Sequence, residues 1–159
     1  MKLLTKATLL FVCLFGMYTS WGQMVKPTYK TGFDVTEAKL GDTVEIYIQI
    51  TPPLGWHVYS TKNEGCEFTP IMAEMDMASD TSYKSIEGFT PIGDHAKQDP
   101  IFECKIWSFA SVATFKQKIV ILSKDLKVKG VFQGQMCDDK ACVPLYPDAF
   151  SFTGITIVE

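Results

Sequence analysis

Val44-Glu45-Ile46-Tyr47-Ile48-Gln49-Ile50 alternates strictly, with Val44, Ile46, Ile48 and Ile50 on one side of an extended chain and polar or amphipathic residues on the other. Period-two alternation of β-branched apolar residues is the mark of a strand that buries one face. Gly41-Asp42 precedes the stretch and Pro52-Pro53 follows it, and both pairs are turn punctuation. A half-buried strand of this kind needs partner strands and a second apolar layer to cover it.

The same grammar recurs on either side. A short strand is expected at 56–60 after Gly55, and a weaker one at 71–77. Three more follow at close spacing at 102–109, 115–122 and 126–132, all rich in aromatic and β-branched residues. Residues 150–158 are expected to close the chain as one strand, with a bulge at Gly154 that moves the apolar register from Phe150 and Phe152 to Ile155 and Ile157. Gly130 and Gly134 are assigned to a bulge and a turn. No segment carries a 3.6-residue apolar stripe of useful length. Seven or eight short strands in about 130 residues predict an all-β, immunoglobulin-like antiparallel β-sandwich. The Cys…Trp…Cys core spacing of antibody domains is missing.

Composition fits one such domain. The chain has 159 residues, of which 47% are hydrophobic and 21% charged, enough apolar content to exclude disorder. The net charge is −3, and all 15 cations are lysine. An acidic chain without arginine lacks the bidentate fork that grips phosphates, which argues against nucleic acid as a partner.

The first residues read as an address. Lys2 and Lys6 flank a basic start, residues 7–18 are apolar and uncharged, and Ser20 and Gly22 lie just before Gln23. That is the pattern of a cleaved secretory signal over residues 1–22. The apolar run of about 12 residues is shorter than the ~20 needed to span a bilayer. Cys13 follows Leu10-Phe11-Val12, without the small residues of a lipidation site. An exported single domain over 23–159 is therefore expected, with 13 cations against 18 anions (15 − 2 lysines) and four cysteines: Cys66, Cys104, Cys137 and Cys142. An even cysteine count in an exported domain reads as disulfide chemistry, with three pairings open.

Chemistry concentrates in Gln135-Met-Cys-Asp-Asp-Lys-Ala-Cys-Val-Pro-Leu-Tyr-Pro147. Cys137 and Cys142 bracket a four-residue loop, and cysteines facing across such a loop can meet the ~5.5 Å Cα separation of a disulfide. A six-residue ring contributes only about 2 kcal/mol of chain entropy, against about 4 kcal/mol for a ring closed from Cys66 to Cys104. A short-loop bond is thus a modest staple, well suited to open and close reversibly, and Pro144 and Pro147 stiffen the chain after it. Asp138 and Asp139 disfavour a thiolate beside them, which suits a disulfide attacked by a partner more than an attacking nucleophile. Spacing alone leaves two readings: a redox pair, or a structural hairpin disulfide.

With those residues in view, the chain resembles a family. Gly55-Trp-His-Val-Tyr-Ser60 and the segment from Gly134 to Phe152 are similar to the N-terminal periplasmic domain of DsbD-type thiol–disulfide interchange proteins, over roughly residues 25–158. The resemblance implies an immunoglobulin-like domain whose redox pair is Cys137 and Cys142, with ring side chains of His57 and Tyr59 beside it. It implies a shielding cap loop within 93–102, with Phe102 as its candidate aromatic. The implied partners are thioredoxin-fold proteins, an electron donor and periplasmic acceptors, with no cofactor. Two features depart from the family. Cys-Val-Pro-Leu replaces a cysteine followed by two prolines, and no transmembrane or thioredoxin segment follows, so a separate membrane electron donor is expected.

The remaining marked residues have plainer readings. Cys66 and Cys104 lie outside the family motif and read as a second, structural disulfide or as buried thiols. His57 alone would be a solvent-facing strand residue. Met72, Met75 and Met77 suit core packing better than copper, and Cys66 and Cys104 form no second zinc knuckle. The competing function is a non-catalytic immunoglobulin-like binding module with inert disulfides.

Overall fold

The structure, a computed structural model, describes residues 25–68, 70–145 and 149–159. The expected signal segment 1–22, with Cys13, lies outside the described residues, as does Pro147. Fourteen strands and no helix make up the described chain, so the expected all-β class holds.

The opening alternation becomes the centre of the smaller sheet. β1 (Thr28–Phe33), β3 (Thr43–Thr51) and β10 (Ala113–Ile121) run antiparallel side by side, and β6 (Tyr83–Ser85) and β7 (Thr90–Ile92) pair along the free edge of β10. The larger sheet is organised by β11 (Val128–Cys137). Its first part pairs with β13 (Phe150–Phe152) and β5 (Glu74–Met77), and its last part with β12 (Cys142–Leu145) and β4 (His57–Glu64). Beyond β4 lie β9 (Lys105–Phe109) and β8 (His95–Gln98). A third, two-stranded sheet pairs β2 (Glu37–Lys39) with β14 (Thr156–Val158) in parallel, the one parallel pairing among the described residues.

The two large sheets pack face to face. At one end Ile48, Ile50, Phe115, Val58, Phe109, Phe132 and Met136 form the buried core. At the other, Val44, Ile46, Ile119, Ile121, Val128 and Phe152 do so. Val44, Ile46, Ile48 and Ile50 all point inward, as their alternation requires. Two antiparallel sheets packed in this way are the expected immunoglobulin-like sandwich.

Several expectations are corrected. Residues 150–158 are not one bulged strand. Gly154, at φ 98°, turns the chain out of the larger sheet after β13, and β14 joins β2 instead. Neither Gly130 nor Gly134 makes a bulge or turn. Both lie inside β11, where Gly130 lets Met75, Met77 and the Asp76 carbonyl approach to within 3.2 Å of where a Cβ would sit. The strand expected from 102 starts only at Lys105. The reason is Asp99, whose carboxylate accepts hydrogen bonds from the N–H groups of Ile101 and Phe102 and folds 99–104 into a loop.

Candidate functional site

β11 is one residue too short to leave its last side chain in the sandwich. Met136 faces the core, so Cys137 faces the opposite side, as do Tyr59 on β4 and Ile106 on β9. These residues, with Cys104, form a small buried cluster on the outer face of the larger sheet, and Cys66, Met72, Phe102 and Cys142 pack against it.

Cys137 ends β11 and Cys142 begins β12. The two face each other in register with Cα atoms 4.1 Å apart, and they are bonded. The loop between them is closed by the Asp138 N–H donating to the Ala141 carbonyl at 3.0 Å. The Asp138 carboxylate accepts from the N–H groups of Lys140 (2.8 Å) and Ala141 (2.7 Å), which hold its carboxyl below the usual range. Cys137 is wholly buried and Cys142 half-buried.

On its other side Cys137 faces His57, the first residue of β4. Burial, helped by Lys97, pulls the His57 imidazole below its ordinary value, and Asp99 and Asp139 only partly offset this. His57 is therefore neutral at pH 7. Its ring lies 5.6 Å from that of Tyr59, and Tyr59 meets Phe102 edge-on at 6.1 Å. The Tyr59 hydroxyl donates to the Asp99 carboxylate, and His57 Nε2 stands 3.8 Å from the same oxygen. Burial, then the neighbouring carboxylate, pushes the Tyr59 hydroxyl well up, so it stays a donor. Burial alone would raise the Asp99 carboxyl. The Tyr59 hydroxyl and the N–H groups of Phe102 and Ile101 outweigh it and hold Asp99 ionised, below the usual range.

The buried amide of Gln135 completes the polar surround. Its Nε2 donates to Cys137 Sγ at 3.6 Å, and its Oε1 accepts from the Ile71 N–H at 3.0 Å.

Two segments cover this face: loop 99–104 between β8 and β9, and residues 65–68 and 70–73 between β4 and β5. The bond between Cys66 and Cys104, Cα atoms 4.9 Å apart, joins them. The structure thus brings Cys137, Cys142, His57, Tyr59 and Phe102 together and pairs Cys66 with Cys104. The stretch 93–102 assigned to a cap divides into strand β8 and the start of loop 99–104. Sequence reasoning missed Asp99 and Gln135. For Gln135 the signal was present, because a residue two before Cys137 on a strand shares its face. For Asp99 there was none, since its partner Tyr59 is 40 residues away.

Among the described residues no group of three or more His, Cys, Asp or Glu side chains is arranged to hold a metal ion. The arrangement sets a half-buried Cys142 against a wholly buried Cys137, with the Gln135 amide donating to the Cys137 sulfur and His57 in register across the strand pair.

No protein-family model and no curated protein matches the chain by sequence. Solved structures do match by shape. The N-terminal periplasmic domain of ScsB from Proteus mirabilis superimposes with a TM-score of 0.55 at 13% identity, over 79% of this chain and 44% of that one. The chain therefore spans less than half the length of that structure, and the likeness shows the fold. The Neisseria meningitidis DsbD N-terminal domain in the reduced form matches with a TM-score of 0.49 at 14% identity, over 74% of this chain and 79% of that one.

Proposed function

We propose that this chain is a thiol–disulfide exchange module, exported to the periplasm after cleavage of the segment 1–22, which carries electrons between thioredoxin-fold proteins through the Cys137–Cys142 disulfide. The observation that carries this reading is the asymmetry of that bond: Cys142 is half-buried at a hairpin mouth, while Cys137 is wholly buried with the Gln135 amide against its sulfur. The shared fold with a periplasmic domain of ScsB supports it.

The chemistry follows from the asymmetry. A partner thiolate reaches Cys142 Sγ and bonds to it. The Cys137–Cys142 bond breaks and its electron pair goes to Cys137 Sγ, where the Gln135 N–H group stabilises the developing charge. His57, neutral and cross-strand, is placed to pass a proton to or from that sulfur. The partner's second thiolate then attacks its own sulfur in the mixed disulfide. Cys142 leaves and takes up a proton, and the partner departs oxidised. Two electrons and two protons have moved to this chain, and the reverse steps deliver them to an oxidised acceptor.

The test is a redox titration of the mature protein in thiol buffers, with free thiols alkylated and assigned by mass spectrometry. The reading expects Cys137 and Cys142 to titrate as a pair well above the roughly −300 mV below which structural disulfides lie. Because attack falls on Cys142, Cys137→Ser should trap mixed disulfides with thioredoxin-fold partners far better than Cys142→Ser. A pair that resists reduction until the sandwich melts would leave an inert binding module instead.

A further inference from the structure

The second disulfide has no part in that exchange, yet it stands against the same cluster. Cys104 is buried among Tyr59, Ile106 and Cys137, and Cys66 packs on them from the other covering segment. Each segment holds one polar contact of the reacting sulfur's surround. The segment after β4 supplies the Ile71 N–H that orients Gln135, and Gln135 in turn donates to Cys137 Sγ. Loop 99–104 supplies Asp99, which holds Tyr59 and faces His57, and Phe102, which packs on Tyr59. Loop 99–104 is closed on itself by the Asp99 N–H donating to the Cys104 carbonyl at 2.8 Å, so a bond at Cys104 fixes the whole loop.

We infer that the Cys66–Cys104 disulfide is a positioning element for the exchange site, and that its state sets how readily Cys137–Cys142 opens. This rests on the reading of Cys137–Cys142 as the exchange pair. The physical reason is room. Two bonded sulfurs occupy less space than two thiols in van der Waals contact, and close-packed interiors do not yield that space freely. While Cys66–Cys104 is closed, both covers are held down on the cluster. When it opens, they can separate and admit the dithiol. Of the two cysteines Cys66 is the half-buried one, and the chain neighbours of both, Gly65, Glu67 and Glu103, help line an open groove of about 490 Å³.

Coupling of this kind is reciprocal and can be read on the wild-type protein. In a glutathione titration each opened pair takes two electrons and two protons from two glutathione molecules, which leave as glutathione disulfide. Quenching and mass spectrometry count four species: both pairs closed, either one open, and both open. The product of the both-closed and both-open populations, divided by the product of the two singly open ones, is the coupling constant. The expected value is about tenfold in favour of joint opening. A value within twofold of one overturns the proposal, since a staple that acts on stability alone lowers the melting temperature without coupling the pairs.

The variant C66A/C104A supplies the second measurement: the equilibrium constant for reducing its Cys137–Cys142 pair with glutathione should be about tenfold larger than for the wild-type pair while Cys66–Cys104 is closed, at temperatures where both are folded. If Cys137–Cys142 resists reduction in the wild type and in this variant alike, the positioning role is refuted. Should the variant not fold, the wild-type coupling constant decides. The carrier reading alone fails where the two pairs couple and no partner adduct forms; this one alone fails where adducts form and the coupling constant stays near one.

Discussion

Replacing Gln135 by methionine removes one amide from the site while keeping the length and volume of the side chain. The amide has two roles. Its Nε2 faces Cys137 Sγ at 3.6 Å, and its Oε1 accepts the Ile71 N–H at 3.0 Å. A hydrogen bond to a charged group contributes about 1.5–3 kcal/mol, and the long contact to sulfur places this one at the lower end. Losing about 1.5 kcal/mol of thiolate stabilisation raises the Cys137 pKa in the reduced protein by about one unit. In the exchange transition state the leaving sulfur carries about half of that charge, so about 0.75 kcal/mol is lost there and reduction by a thiol slows about threefold to fourfold. The Ile71 N–H loses its acceptor as well, at about 1 kcal/mol of folding stability. The thiolate pKa is read from ultraviolet absorbance against pH in the reduced protein, the rate from stopped-flow reduction by dithiothreitol, and the stability from urea unfolding. A variant that loses stability while keeping the wild-type pKa and rate would refute the claim that Gln135 serves the sulfur.

Three further outcomes are expected. His57 has a folded pKa below its unfolded value, so the unfolded chain binds the extra proton first and stability rises with pH through the window ending near the unfolded value of about 6.5; His57→Gln should flatten the urea-unfolding free energy there. Asp99 has linkage of the same sign in a lower window, with stability present above its unfolded value of about 3.9 and lost as pH falls through its lower folded value, so Asp99→Asn should remove part of the acid limb of an unfolding profile; an unchanged limb would sink the assignment. Gly130→Ala places a Cβ 2.9 Å from Met75 Sδ and 3.2 Å from the Asp76 carbonyl. Because the carbonyl is backbone, the expected cost is about 1–3 kcal/mol, seen as a lower melting temperature.

The sandwich was legible wherever one strand face is continuously apolar. β3 and β10 show nine-residue alternations in burial that match their residue pattern almost position by position. β8 was invisible because all four of its residues are exposed, so it has no apolar face to display. β12 carries Pro144, which speaks against a strand unless the position is an edge, and β12 is an edge strand. β7 hides in the same way behind Pro91. In the site, Cys137 and Cys142 were legible because their relation is local. His57 and Tyr59 entered through resemblance, since their meeting with Cys137 depends on β4 pairing with β11 across some 80 residues of sequence. Asp99 depends on a loop laid over the sheet, and no local pattern marks a residue for that.

In β11 adjacent residues face opposite ways: Met136 helps hold the two sheets together, and Cys137 sits on the far side with the polar surround. Folding and chemistry are thus written in alternate letters of the same strand. A library that varies Tyr59, Ile106, Gln135 and the four residues between the cysteines would sample new surrounds for one disulfide while every residue between the two sheets is kept.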